Sequence, residues 1–251
     1  MIITCPNCKK QFKINQSQIP AEGRDLKCGS CEHVWFFNIE IKKDYKFIDY
    51  QKSINFMKIR IDEIIKGTNK ELIWFLNHDH IYTQGTSSSK IEILKENNIR
   101  ILKTNRGGKT TYHGPGQRIV YLMINLNDRK KDLRKFISII EQSLMDFLKE
   151  YKIDCATYKD RVGIWVIGQN GKKFVKEEKI GAIGLRLKKW TTYHGLSFNI
   201  NPKMNNYDDI NACGLDNYKN TSLKELGIEI DESKFDEEYS KIFLNKLKDL
   251  K

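Results

Sequence analysis

The spacing of apolar positions divides the chain into a few long elements. From Asp49, apolar residues recur three and four apart at Ile54, Met57, Ile61, Ile64 and Ile65, which predicts a helix ending at Gly67. Leu72 to Leu76 reads as an apolar strand, and residues 118–126 (RIVYLMINL) as a nearly continuous, fully buried one. The clearest helix covers 132–151, with Leu133, Phe136, Ile137, Ile140, Leu144, Phe147 and Leu148 on one stripe. Strands at 162–167 and 173–175 are joined through Gln169-Asn170-Gly171, a hairpin signal, and two more follow near 180–187 and 192–200. Ser222 to Glu225 fits a capping box for a short helix, and a charged helix over 234–249 closes the pattern. The order is helix, two strands, helix, several strands, helix. It predicts an α+β domain with a hairpin-rich sheet.

The first 37 residues follow another logic. Four cysteines fall there as Cys5-x-x-Cys8 and Cys28-x-x-Cys31, with short strands expected at Gln11–Ile14 and Asp25–Lys27. Each C-x-x-C turn presents two thiolates, and two such turns complete a tetrahedral site for a structural Zn2+. A segment this short cannot bury enough apolar surface to fold alone, and a metal is the usual remedy. A redox C-x-x-C does not come in duplicate, and disulfides do not suit a reducing compartment. The run resembles a small zinc ribbon, which implies a structural site with Cys5, Cys8, Cys28 and Cys31 as ligands and His33 outside it. The expected organisation is a zinc-ribbon module at 1–37, a short polar linker at 38–44 and a main domain at 45–251.

Composition changes this picture little. The 251 residues carry 44 Lys and Arg against 32 Asp and Glu, a net charge of +12. Lys supplies 35 of these cations and Arg only nine, a poor supply of the bidentate fork that phosphate recognition favours. Neither a recognition helix nor an Arg cluster supports a nucleic-acid-binding regulator. The first 40 residues hold five cations against four anions, so the excess lies on the main domain. With no long apolar run and no apolar leader behind a basic start, the expected setting is cytoplasmic, away from the membrane.

Four stretches carry the chemistry. Arg106 to Gln117 (RGGKTTYHGPGQ) holds glycines at 107, 108, 114 and 116 among Arg, His and Gln. Neither a P-loop, which needs Gly where Lys103 stands, nor a dinucleotide fingerprint explains it. The others are Lys179-Ile-Gly-Ala-Ile-Gly184, Thr192-Tyr-His-Gly-Leu-Ser-Phe-Asn199 and Asn211-Ala-Cys-Gly214, while Cys155 stands without a motif. In this order and spacing the four resemble the lipoyl(octanoyl) transferase family over about residues 45–230. Asp49-Tyr-Gln51 and His78 to Gly85 belong to the same likeness.

The resemblance implies the biotin/lipoate ligase catalytic fold, a mixed sheet flanked by helices. It implies transfer of octanoyl (or lipoyl) from acyl carrier protein to the acceptor lysine of lipoyl domains, through a cysteine thioester, as the first step of endogenous lipoate assembly. The acceptors implied are 2-oxoacid dehydrogenase complexes and the glycine cleavage H protein, and no catalytic cofactor is needed. Cys213 is then the nucleophile and Lys179 its activating partner. Arg106, Gly107, Gly108, Lys109, Thr110, Thr111, Tyr112 and His113 line the acyl pocket with Ala182, Ile183, Gly184, Gly195, Leu196 and Ser197. The chain departs from the family in Ala212, where proline is usual, and in a longer Lys-rich hairpin at 168–178. The chemistry is consistent with this assignment: an unperturbed cysteine is only about 3% thiolate at pH 7, and a nearby ammonium raises that fraction. The rival on the same fold is an ATP-dependent lipoate or biotin ligase, which forms an acyl-adenylate and needs no cysteine.

Overall fold

The computed structural model describes residues 2–5, 7–14, 24–37, 39–95, 97–211 and 218–250. Two small hairpins come first: β1 (Ile2–Thr4) with β2 (Gln11–Lys13), and β3 (Arg24–Lys27) with β4 (Val34–Phe37). The main domain follows as β5 (Ile39–Phe47), α1 (Tyr50–Lys66), β6 (Glu71–Asn77), β7 (Ile81–Gln84), β8 (Ile101–Lys103), β9 (Thr110–His113) and β10 (Gln117–Met123). Next are α2 (Leu133–Lys149), β11 (Ile153–Ala156), β12 (Ile164–Gln169), β13 (Lys172–Lys188), β14 (Thr191–Asn199), β15 (Lys219–Asn220) and α3 (Glu232–Leu247).

Eight strands form a mixed sheet in the order β11-β12-β13-β14-β10-β6-β5, with β15 added parallel to β13. The β5–β6 pair is also parallel, and the other pairs are antiparallel. The central strands read as unbroken apolar runs because both faces are covered. On β6 and β10, Leu72, Trp74, Leu76, Ile119, Tyr121 and Met123 pack against α1 residues such as Ile54, Met57 and Ile61. The alternate residues Ile73, Phe75, Val120 and Leu122 join the core built with Phe136, Ile140 and Phe147 of α2 and Phe235, Tyr239 and Phe243 of α3. Asp49, Asp132 and Asp231 cap the three helices, each accepting a backbone N–H three residues on, and Gly67 closes α1 in the left-handed region. Among the described residues no helix is long and apolar enough to cross a membrane.

Three expectations change. The stretch 38–44 does not form a linker in its described part: from Ile39 it is β5, paired in register with β6 from Ile39↔Glu71. Its polarity is that of an edge strand with one face in water. Lys42 lies over the Trp74 ring at 4.5 Å, and the Trp74 indole N–H donates to Asp44 at 2.7 Å. The strands expected at 173–175 and 180–187 are one strand, β13. The capping box at 222–225 starts a turn, not a helix: Glu225 N donates to the Ser222 hydroxyl at 3.2 Å, but Gly227 turns left-handed at φ 74° and ends the coil.

A second, three-stranded sheet, β8-β7-β9, was not legible in the hydrophobic pattern. It stands over the α1 side of the main sheet, with Tyr82 and Tyr112 packed on Tyr207 and Ile210.

Candidate active site and cysteine cluster

A cavity of about 290 Å³ opens where β13 and β14 meet β9 and the start of α1. It lies near the lower end of the roughly 300–1,000 Å³ typical of small-molecule sites. Ile119, Ile183 and Leu196 give it apolar wall; Tyr50, Thr111, Tyr121 and Ser197 add hydroxyls. Of the residues singled out in the sequence, Arg106, Gly108, Lys109, Thr111, His113, Lys179, Ala182, Ile183, Gly184, Gly195, Leu196 and Ser197 all line it.

Gly107, Thr110 and Tyr112 do not. Strand β9 alternates, so Thr111 and His113 face the cavity while Thr110 and Tyr112 face away. Thr110 N donates to the buried Glu92 carboxylate at 2.8 Å, and the Tyr112 hydroxyl meets His80 Nδ1 at 2.6 Å. Gly107 lies beneath β13, its N–H donating to the Leu185 carbonyl at 3.1 Å. Arg106 donates to the Thr83 carbonyl at 2.6 Å and the Lys109 carbonyl at 2.7 Å, and so holds the glycine loop in shape. Gly195 sits where a Cβ would come within 2.0 Å of the Val120 carbonyl oxygen, which forbids any side chain at that point of the cavity wall.

Lys179 is 5% exposed, and its Nζ donates to the Val162 carbonyl at 3.1 Å. Gly163, at φ +138°, lets that loop close over it: a Cβ there would meet Lys179 Cε at 2.5 Å. Cys213 lies outside the described residues, within 212–217. Both flanks of that stretch are fixed. Asn211 N donates to the Glu92 carbonyl at 2.8 Å. On the far side β15 runs beside Lys179, with Glu178↔Lys219 and Lys179↔Asn220 in register, and Thr221 N donates to the Lys179 carbonyl at 2.8 Å. Cys155, on β11, is partly buried and its thiol is pushed up to about 12 by burial, so it stays protonated.

Two buried histidines, His113 and His194, line the cavity, and a third, His78, stands edge-on behind His113. His78 donates from Nδ1 to the Ile48 carbonyl at 2.6 Å and accepts at Nε2 from the Tyr121 hydroxyl at 2.7 Å. His113 Nδ1 meets Gln117 Oε1 at 2.7 Å, and His194 Nε2 meets Asn105 Oδ1 at 3.0 Å. Burial holds His78 down at about 4 and His194 at about 3, and it holds His113 well below the ordinary value, with the Arg106 guanidinium adding to the effect at His113 and His194. All three are neutral at pH 7. In the unfolded chain each takes up a proton near pH 6.5, but in the folded chain only far below that. As pH falls from about 6.5 towards 4 the unfolded state therefore binds more protons, and stability drops by up to roughly 1.4 kcal/mol per pH unit for each histidine. Urea midpoints at pH 7, 6 and 5 should fall in that order; a flat series contradicts the neutral cluster.

The sequence pattern does not reach Tyr121, which reads simply as part of an apolar strand, or the wall formed by Asp160, Arg161 and Val162. The only local sign of the latter is an Arg placed between Tyr158 and Trp165.

At the N-terminus Cys5, Cys8, Cys28 and Cys31 converge, with all four sulfurs within 4.8 Å of one another. Cys5 and Cys31 are 3.7 Å apart and Cys8 and Cys28 3.6 Å, far beyond a disulfide bond. Thiolates bound tetrahedrally at about 2.3 Å stand about 3.8 Å from one another, so the cluster fits a single structural metal. The two turns repeat one design. Cys5 N donates to the Lys10 carbonyl and Cys28 N to the His33 carbonyl, and the residues after the second cysteines, Lys9 and Glu32, are left-handed at φ 62° and 56°. His33 is not part of the cluster.

The mixed sheet, its helical cover and the slot above β13 and β14 define a lipoate-ligase-like catalytic domain. An archaeal bipartite lipoate protein ligase from Thermoplasma acidophilum superposes with a TM-score of 0.58 at 12% identity, over 83% of this chain and 84% of that one. A lipoate-protein ligase A bound with ATP gives 0.57 at 14% identity, over 83% and 85%. Residues 49–244 match the family model of the lipoyl protein ligase A/B catalytic domain, and residues 1–36 match a zinc-ribbon domain. The chain belongs to the lipoyl protein ligase A/B catalytic-domain family. Within that family it is similar to the octanoyltransferase of Ehrlichia chaffeensis, 41% identical over 212 residues, which is 82% of this chain and 97% of that one. It is also similar to the octanoyltransferase of Wolbachia pipientis from Culex pipiens, 42% identical over 203 residues, 79% and 96% of the two chains. The protein is an acyltransferase.

Proposed function

We propose that this protein moves an octanoyl group from the thioester of acyl carrier protein to the acceptor lysine of a lipoyl domain, through a thioester on Cys213, in lipoate biosynthesis. The glycine cleavage H protein and the lipoyl domains of 2-oxoacid dehydrogenases are the acceptors of matching chemistry. One observation carries the reading: β15, a few residues beyond Cys213 in the chain, pairs with β13 at Lys179, and buried Lys179 lines the same slot as Ile183 and Leu196.

In the first step the Cys213 thiolate attacks the acyl carbonyl; the new S–C bond forms, the carrier thiolate leaves and takes a proton. In the second the acceptor amine attacks, the C–N bond forms, Cys213 leaves as thiolate, and the amine proton passes to a base. As an ammonium, Lys179 favours the attacking thiolate and gives its proton to the departing carrier thiolate; left neutral by that transfer, it takes the amine proton in the second step. Glycine-loop N–H groups supply donors for the oxyanion. The basic charge of the main domain steers acidic partners, so the association rate falls as salt rises.

Transfer by the metal-loaded protein is expected to run at full rate without ATP or magnesium, measured as octanoylated lipoyl domain by mass spectrometry. An absolute need for ATP and magnesium would assign the chain to the ligases. The cysteine cluster is a structural zinc site in this reading. Metal analysis should return one zinc per chain, and removing it with a strong chelator should unfold the module, seen as loss of amide dispersion for residues 2–37. Full retention of that dispersion without metal would contradict it.

A further inference from the structure

Arg161 stands on the loop between β11 and β12, in the wall of the cavity. Its guanidinium carbon lies 3.7 Å from the centroid of the Tyr158 ring, 4.4 Å from Tyr218 and 4.7 Å from Trp165. Its Nη2 is bonded to Glu177, which balances the charge. The rings fix the plane of the group, so it is rigid before any ligand arrives. The other terminal nitrogen, Nη1, is buried and has no hydrogen-bond partner among the described residues, in a side chain only 10% exposed. A buried charged donor without an acceptor is costly and uncommon, and packing alone does not call for one here.

Its position tells what passes it. On β13, Glu177 comes two residues before Lys179, whereas Ala182, Ile183 and Gly184 come after it along the slot. The Arg161 side chain reaches back to Glu177 and Tyr218, so its guanidinium lies on the side of Lys179 away from Ala182, Ile183 and Gly184. The two cations share one aromatic face, Lys179 Nζ lying 5.3 Å from the Trp165 centroid. With an acyl chain in the slot and its carbonyl at Lys179, the part of a thioester beyond the sulfur runs past Arg161.

We propose that Arg161 Nη1 binds an amide carbonyl oxygen in the thiol arm of the donor thioester. A neutral carbonyl fits better than a phosphate, because a dianion would sit against the Glu177 carboxylate. The proposal rests on the donor being a carrier thioester, as inferred above.

The test compares two small donors: the octanoyl thioester of N-acetylcysteamine, which has an amide, and that of 2-methoxyethanethiol, a leaving group of similar acidity without one. Acylation of the full-length protein is followed by thiol release. The wild type should prefer the amide-bearing donor in kcat/KM by on the order of 10- to 100-fold, the loss expected for one charge-assisted hydrogen bond. In Arg161→Met and Arg161→Lys the ratio of the two rates should fall to within about twofold of one, whatever loss the two donors share. A wild type with no preference overturns the proposal whether or not the variants fold, as does an equal loss on both donors in a folded Arg161→Met. If neither donor acylates the wild type, the transferase reading itself fails, and that result is distinct from acylation without selectivity.

Discussion

Replacing Cys213 by alanine is expected to abolish octanoyl transfer, and replacing Lys179 by methionine to lower kcat/KM by about 10²- to 10⁴-fold. Methionine keeps the volume of the buried stem and removes the ammonium and its bond to the Val162 carbonyl, which is 3.1 Å long. A purely structural lysine would change kcat/KM through stability alone. A lysine that sets the nucleophile also changes the pH at which the thiol reacts. The pH profile of iodoacetamide alkylation at Cys213 should therefore move to higher pH in Lys179→Met, with the fold intact by circular dichroism. Cys155 does not confuse the assay, since burial keeps its thiol at about 12. An unchanged profile together with unchanged kcat/KM would remove Lys179 from the mechanism.

The second large effect is on stability. Arg118 and Asp236 are both fully buried and meet through two bonds, Nε to Oδ1 at 2.9 Å and Nη2 to Oδ2 at 2.6 Å. The same guanidinium donates from Nη1 to the Asp44 carbonyl at 2.8 Å and to Asn77 at 3.0 Å. It ties α3 and β5 to the sheet at one point. Asp236→Ala leaves the buried cation with Glu232, 3.4 Å away, as its one remaining carboxylate partner among the described residues. Breaking a buried pair from one side costs about 3–5 kcal/mol, and in a domain of this size that lowers Tm by roughly 6–20 °C. Calorimetry on the metal-loaded protein checks it; a fall of less than about 2 °C would mean that α3 is held by its aromatic packing alone.

The helices and central strands are legible in the sequence because each buries a face with a clear period: α1 against β6 and β10, and α2 and α3 against the opposite side. β5 is not, because an edge strand beginning Ile-Glu-Ile-Lys-Lys-Asp reads like any polar connection until its partner is known. β7 and β9 are hidden for a different reason. Every residue of both strands is buried, with Thr111 and His113 on the cavity and Tyr82 and Tyr112 in an aromatic cluster, so no exposed side marks the alternation. Of the candidate site, the glycine stretch, Lys179 and the two strand motifs converge on one slot, although Thr110 and Tyr112 turn away from it. Arg161 is barely marked in sequence, because only Tyr158 and Trp165 are its neighbours along the chain and Tyr218 and Glu177 join them in the fold.

The central claim is a covalent octanoyl-cysteine at residue 213. The direct measurement incubates the metal-loaded protein with octanoyl acyl carrier protein, without acceptor or ATP, and maps the modified peptide by mass spectrometry. The account predicts one octanoyl group, labile to hydroxylamine, on the peptide that contains Cys213, and its release when a lipoyl domain is added. An unmodified Cys213 in a preparation that nonetheless transfers octanoyl would contradict it.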